Sequence, residues 1–257
     1  MSERALVDIQ VANHIQVMRL SRPEKKNAIN AEMYRVLSDA LEHGDGSDGV
    51  RVHVIVGRDG TFSAGNDLTD FLTTGETRDR AMAEVLRFIR LLPQIRKPLI
   101  AGVDGLAVGI GTTLLFHCDL VFASDRVSFS TPFVDLGLIP EAGSSLLAPM
   151  RLGYARAFEL LVLGQTFSAE QLREAGLVNA VLPPSELEPA TFAAAAALAI
   201  KPPHALAISR RLLRGDPTAL NTRIEKEAEL FAQRLIQSEA IQALSAFTQK
   251  RPPNFSK

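Results

Sequence analysis

Three short stretches hold residues whose types and spacing could do chemistry. The first, Ser63-Ala64-Gly65-Asn66-Asp67, follows the apolar run Val52 to Val56. Residues this small let another group approach the main chain closely. At a turn or helix start their N–H groups lack internal partners and can face a developing negative charge. A strand-to-helix turn capped by Asn66 or Asp67 accounts for the same residues. The second stretch, Gly105 to Thr113, carries Gly105, Gly109 and Gly111 after the apolar run Leu99 to Val103. It has no lysine and not the spacing of a P-loop, and Leu114 stands where a third Rossmann glycine would be. What remains is a glycine-flanked N–H at Ile110, or simply close packing of a helix on a strand. Two such N–H groups aimed at one oxygen would form an oxyanion hole, each donor worth roughly 3 kcal/mol to a transition state. With no Ser–His pair nearby, that hole suits an enolate rather than a tetrahedral acyl intermediate. The third stretch is Leu138-Ile139-Pro140-Glu141-Ala142-Gly143-Ser144-Ser145. Glu141 falls after Pro140 in a first helical turn, where a carboxylate serves the helix dipole for under about 1 kcal/mol. Alternatively it is a lone general base in an apolar pocket. Burial would raise its pKa and the helix end would lower it, and the sequence leaves both open.

The elements that must position these stretches alternate through the first half of the chain. Leu6 to Ile9 and Ile15 to Leu20 read as strands joined at Asn13-His14, and Asn30 reads as the N-cap of a helix that Gly44 stops. Val52 to Val56 and Leu99 to Val103 read as buried strands. A loop over 59–74 and a helix over about 77–92 lie between them. Thr112 to His117 starts a helix, and Leu120 to Ala123 and Ser128 to Phe133 read as short strands. Beyond Pro140 the signal is almost wholly helical. Ser168-Ala169-Glu170-Gln171 is a capping box closed by Gly176, Thr191 to Ile200 is a helix, and Glu225 to Lys250 is a helix with Leu230, Phe231, Leu235, Leu244 and Phe247 inside. The expected fold class is α/β, with a core over 1–195 and a helical region over 196–257.

Composition narrows the function. The chain has 257 residues, a formal net charge of −1, 22% charged and 6% aromatic residues, one cysteine and no tryptophan. That balance argues against charge-driven binding to nucleic acid or a membrane surface, and one cysteine excludes a disulfide framework. Met1 to Gln10 lacks the apolar core of a signal peptide, and Asn254-Phe255-Ser256-Lys257 is not a peroxisomal address, so a cytoplasmic protein is expected. No metal site is expected: the five histidines show no ligand spacing, with His53 and His117 read as core residues. Cys118 reads as a small core residue, and Arg210, Arg211 and Arg214 as a solvated helix face. Lys25 and Lys26 read as a solvated turn, or as a place to meet a phosphate.

In this order the pieces resemble the crotonase (enoyl-CoA hydratase/isomerase) superfamily. The resemblance rests on Arg22-Pro23-Glu24-Lys25-Lys26-Asn27-Ala28-Ile29, Phe62 to Leu68, Asp104-Gly105 to Gly111 and Cys118 to Val121. It continues through Ala175 to Val178 and Ala246-Phe247 to Phe255, and so spans nearly the whole chain. It implies a spiral of strand–strand–helix units whose helical C-terminal region builds a homotrimer or a dimer of trimers. It implies an acyl-CoA thioester substrate and no separate cofactor. The Ala64 and Ile110 N–H groups would hold the thioester oxygen. Lys25, Lys26 and Ala28 would lie near the CoA nucleotide, and Ala64, Gly65, Asn66, Asp67 and Leu68 along CoA. Gly109 and Phe133 would line the site, and Phe247 and Lys250 would approach CoA. The family often has glycine where Ile110 stands. The two glutamates of its hydratases match Thr113 and Phe133, neither of which can be a carboxylate base. The remaining pattern is similar to the Δ3,Δ2-enoyl-CoA isomerase branch, in which Glu141 would be the single base. Asp135 is the rival carboxylate, for hydration or for isomerisation of ring-derived acyl-CoAs, and a non-catalytic acyl-CoA-binding oligomer is the alternative of another class. Phe71, Phe88, Phe133 and Leu138 are candidates for an acyl tunnel.

Overall fold

The computed structural model describes residues 5–58, 60–73, 75–249, 251–253 and 255. The strands are β1 (Val7–Ala12), β2 (Ile15–Leu20), β3 (Val52–Val56), β4 (Leu99–Val103), β5 (Leu106–Val108), β6 (Leu120–Ser124), β7 (Ser128–Ser130), β8 (Phe167–Ser168) and β9 (Ala180–Leu182). One six-stranded sheet runs β1-β2-β3-β4-β6-β9, and a three-stranded sheet runs β5-β7-β8. β1 and β2 form an antiparallel hairpin with Val7 opposite Leu20. It turns through Asn13 and His14, both at positive φ, as a tight two-residue hairpin requires. From β2 to β9 the pairing is parallel.

Every residue of β3 and β4 is buried, because the sheet is covered on both faces. The helices are α1 (Ala31–Gly46), α2 (Leu68–Leu72), α3 (Glu76–Leu91), α4 (Ile110–Thr113), α5 (Ser144–Leu152), α6 (Tyr154–Leu161), α7 (Ala169–Glu174), α8 (Pro184–Ala199), α9 (Pro203–Arg214), α10 (Thr218–Leu235) and α11 (Ser238–Thr248). Val52, Val54, Val56 and Ile100 face α8 through Ala195 and Ala199. Gly102 lets α8 come close: a Cβ there would lie 2.8 Å from Thr191 Oγ1. The alternate residues Ile55, Ala101 and Val103 face the main core beneath α1 and α3. The result is the expected α/β spiral with helices at its C-terminal end. The boundary drawn between 195 and 196 falls inside α8.

Several elements differ from the sequence reading. α1 runs past Gly44, because that glycine serves packing: a Cβ there would lie 1.9 Å from Gln16 Oε1. The 59–74 loop contains α2. β7 stops at Ser130, two residues before Pro132, which has no N–H to donate. The short strands β8 and β9 lie in the stretch read as helical, and the 225–250 helix is two, parting at Ile236-Gln237. Leu230 and Phe247 point outward, with Phe247 60% exposed. Arg210 is not solvated: it is 8% exposed and donates to Asp119 Oδ2 at 2.8 Å and Ile95 O at 2.5 Å. His53, His117 and Cys118 are buried as read. Burial pushes the His117 imidazole down to about 4 and the Cys118 thiol up to about 12.

Candidate active site

The two glycine turns meet backbone to backbone. Ser63 N donates to Leu106 O and Val108 N to Ser63 O, at 2.9 Å each. A Cβ on Gly65 would lie 2.8 Å from Val108 O and 3.8 Å from Gly109 Cα, so the contact admits no side chain there. On the other flank Asn27 is buried and clamps the segment. Its amide donates to Thr61 O at 2.7 Å, and its carbonyl accepts from Ser63 Oγ at 2.9 Å. Within the Arg22 to Ala28 motif this buried asparagine fixes position, while the Lys25 and Lys26 side chains are exposed and Ala28 is half-buried.

That clamp corrects one assignment. The Ala64 N–H donates to Lys26 O at 2.9 Å, so it is not a free donor. At Gly65, φ is +90°, and the chain reverses its hydrogen-bonding sense. Gly65 O then accepts from Ile29 N, and Asp67 N donates to Ile29 O. The Asn66 N–H is left facing away from Ile29, and no described residue accepts from it. The Ile110 N–H likewise has no acceptor among the described residues. It opens α4 directly after Gly109, whose φ is +53°. The free pair is therefore Asn66 and Ile110.

Glu141 joins this cluster. The Asn66 amide lies 3.4 Å from each of its carboxyl oxygens, a long and weak contact. Asn66 Oδ1 is held in turn by the Tyr34 hydroxyl of α1, whose ring packs at 5.4 Å on Phe88 of α3. Glu141 is 5% exposed. Burial pushes its carboxyl up to about 8, against the lowering contact from Asn66 and with nearby Glu227 adding to the rise. Glu141 is thus a buried carboxyl with no cation on it among the described residues.

The neighbouring residues divide by role. Asp67 caps α2, accepting from Thr69 N, and pairs with Arg22 at 2.7 Å. Leu68 begins that helix. Phe71, Phe88, Phe133 and Leu138 are all in the main core. Thr113 is buried with its hydroxyl unpartnered. Asp135 is exposed. Phe247 is exposed on α11, and Lys250 lies outside the described residues. Sequence reading missed Tyr34, a tyrosine on the apolar face of α1 that carried no separate signal. It also missed Glu227, which did: it falls between Ile224 and Phe231 on the buried stripe of α10.

The family model described as enoyl-CoA hydratase/isomerase matches residues 10–257. The chain belongs to this family. It is 37% identical over 243 residues to enoyl-CoA delta isomerase 2 of Rattus norvegicus, covering 93% of this chain and 62% of that protein. It therefore spans less than two thirds of that relative's length. It is 34% identical to 1,2-epoxyphenylacetyl-CoA isomerase of Escherichia coli K12, covering 96% of both chains. Among solved structures, an enoyl-CoA hydratase/isomerase from Pseudoalteromonas atlantica T6c superposes with a TM-score of 0.92 at 34% identity, covering 98% of this chain and all of that one. The crotonase resemblance and the α/β spiral are both borne out. Among the described residues no single helix is long and apolar enough to cross a membrane.

Proposed function

We propose that the protein is a Δ3,Δ2-enoyl-CoA isomerase, moving the double bond of a 3-enoyl-CoA to give the trans-2-enoyl-CoA in cytoplasmic fatty-acid oxidation. The observation that carries this reading is Glu141, a buried carboxyl with no cation on it, beside two free main-chain donors. The thioester oxygen sits between the Asn66 and Ile110 N–H groups, which stabilise the negative charge of the dienolate. Glu141, ionised, removes a proton from C2, and the C2–H electron pair shifts into the dienolate. The same carboxyl then delivers the proton to C4, leaving the double bond between C2 and C3. The long contact from Asn66 leaves the carboxyl free to swing between neighbouring carbons. A raised pKa makes it a stronger base than an ordinary glutamate and matches it to neutral pH.

Hydration is the weaker reading, because Thr113 and Phe133 offer no second carboxylate to place and protonate a water. Asp135 is exposed and gives no support for a base there. Lys25, Lys26 and Ala28 beside CoA, with Phe247 and Lys250 approaching it, belong to the same proposal. So does self-association into a trimer or dimer of trimers. The exposed apolar residues Met150, Tyr154, Phe158, Leu212 and Leu213 support association. The test is a substrate panel: 3-enoyl-CoAs of several chain lengths against crotonyl-CoA, followed by the rise of the conjugated thioester or the loss of it. Turnover confined to the 3-enoyl series supports the proposal. Robust hydration of crotonyl-CoA with no shift of 3-enoyl double bonds overturns it.

A further inference from the structure

Glu227 is a second buried carboxylate that the reaction above does not use. It is 5% exposed and reaches from α10 to the turn that carries Glu141. It accepts from Gly143 N at 2.6 Å, Ser145 N at 3.0 Å and Ser145 Oγ at 2.5 Å. Two of these are main-chain donors at the start of α5, whose N-cap Gly143 offers no side-chain cap. The turn they hold is strained: Ala142 has φ +58° and Gly143 φ +70°, and a left-handed alanine persists only where its surroundings enforce it. On the opposite side His117 Nε2 lies 2.7 Å from Ala142 O. Glu141 and Glu227 also share a cavity of about 20 Å³, walled by Val85, Ile89, Ile224 and Phe231, room for roughly one water.

We propose that Glu227 is a positioning residue for Glu141, holding the 141–145 turn from α10 so that the Glu141 carboxyl faces Asn66. This rests on the isomerase reading. Three donors converge on Glu227 and no described cation pairs with it directly; Arg223 reaches only Ser145 Oγ, at 3.1 Å. Burial raises the Glu227 carboxyl too, against these bonds and the charge of Arg223; when ionised, it adds to the rise at Glu141. The other polar groups around Glu141 are Tyr34 from α1, whose hydroxyl burial raises well above its ordinary value, and His117, which burial keeps neutral. Asp70 of α2 is engaged with the Ala31 N–H at 2.9 Å, and α3 presents only apolar side chains to the cavity. Glu227 is thus the near carboxylate that can set the pH range in which Glu141 works.

The test compares Glu227→Gln with Glu227→Asp, reading kcat, KM and the pH profile on a 3-enoyl-CoA. Difference infrared spectroscopy follows the Glu141 carboxyl in the absence of substrate, assigned against Glu141→Gln. The amide of Glu227→Gln removes the charge and turns an N–H toward donors. Its kcat should fall about tenfold with KM nearly unchanged, as a displaced catalytic group does, and its Glu141 midpoint should move acid. Glu227→Asp keeps the charge but shortens the reach, so kcat should fall while the midpoint stays. A Glu141 midpoint unmoved in Glu227→Gln, or wild-type kcat in Glu227→Asp, overturns the role of Glu227. If Glu227→Gln does not fold, the aspartate variant decides alone. Wild-type protein inactive on every 3-enoyl-CoA would instead overturn the isomerase reading, since the infrared midpoint needs no turnover.

Discussion

Asp67 and Glu141 flank Asn66 with similarly low solvent exposure, but Glu141 lies deeper in the protein, and they behave in opposite ways. Asp67 has Arg22 at 2.7 Å and the Thr69 N–H and hydroxyl on its other oxygen. Burial pushes its carboxyl up, but the bonds from Thr69 and Arg22 outweigh it and hold it below the usual range. Glu141 has only the long contact from Asn66, and burial takes it up to about 8. Exposure alone does not separate them; Glu141 is the more deeply enclosed and also lacks a partner. Depth and partners act together: the shallower, paired carboxylate anchors α2 against the Arg22 turn, and the deeper, unpaired one is left with a proton affinity it can use.

The sharpest break of this contrast is Glu141→Gln. Isomerase kcat should fall by about 10³-fold, within the range for removing a general base, with the fold intact by circular dichroism. Asp67→Asn should leave the half-buried Arg22 with only the exposed Glu24 at 3.7 Å as its anion and cost about 2 kcal/mol in denaturant unfolding, with a smaller loss of activity. Gly65→Ala attacks both arms, since the Gly65 reversal points Asn66 one way and Asp67 the other. At φ +90° with a Cβ 2.8 Å from Val108 O, it should cost about 2 kcal/mol and raise KM for acyl-CoA. The smallest effect concerns stability against pH. Asp67, lowered on folding, supports the fold above its unfolded value, and that support is lost as pH falls through its folded value. Glu141 runs the other way: raised on folding, it favours the fold at low pH and loses that contribution as pH rises through about 8. From pH 7 to 8 wild type should therefore lose about 1 kcal/mol relative to Glu141→Gln, roughly 3 °C in Tm by calorimetry.

Much of the fold was legible because its signals are local. The buried runs at 52–56 and 99–103, the Asn30 cap, which accepts from Met33 N at 3.0 Å, and the Ser168 capping box each depend on residues a few positions apart. The site was legible in part. The Ile110 N–H has no acceptor among the described residues and Glu141 is buried beside Asn66; their roles belong to the proposal. The family resemblance puts the second donor at Ala64, whereas the free N–H lies at Asn66, set by a backbone reversal at Gly65 that composition does not encode. Arg210 was read as solvated because the carboxylate that draws it inward, Asp119, lies 91 residues away. Glu227 lies within a run of mixed charge that hides it, although its position on the apolar stripe of α10 marks it as a charge that must be satisfied inside.

The measurement that bears most directly on the unpaired carboxylate is the pH dependence of kcat/KM for wild type on a 3-enoyl-CoA. It reports the free protein's essential base. With burial governing Glu141 and Glu227 adding to the rise, activity should climb tenfold per pH unit below a midpoint near 8 and level off above it. A profile already flat from pH 6 upward would mean that Glu141 ionises as an ordinary carboxylate, and the contrast with Asp67 would not hold.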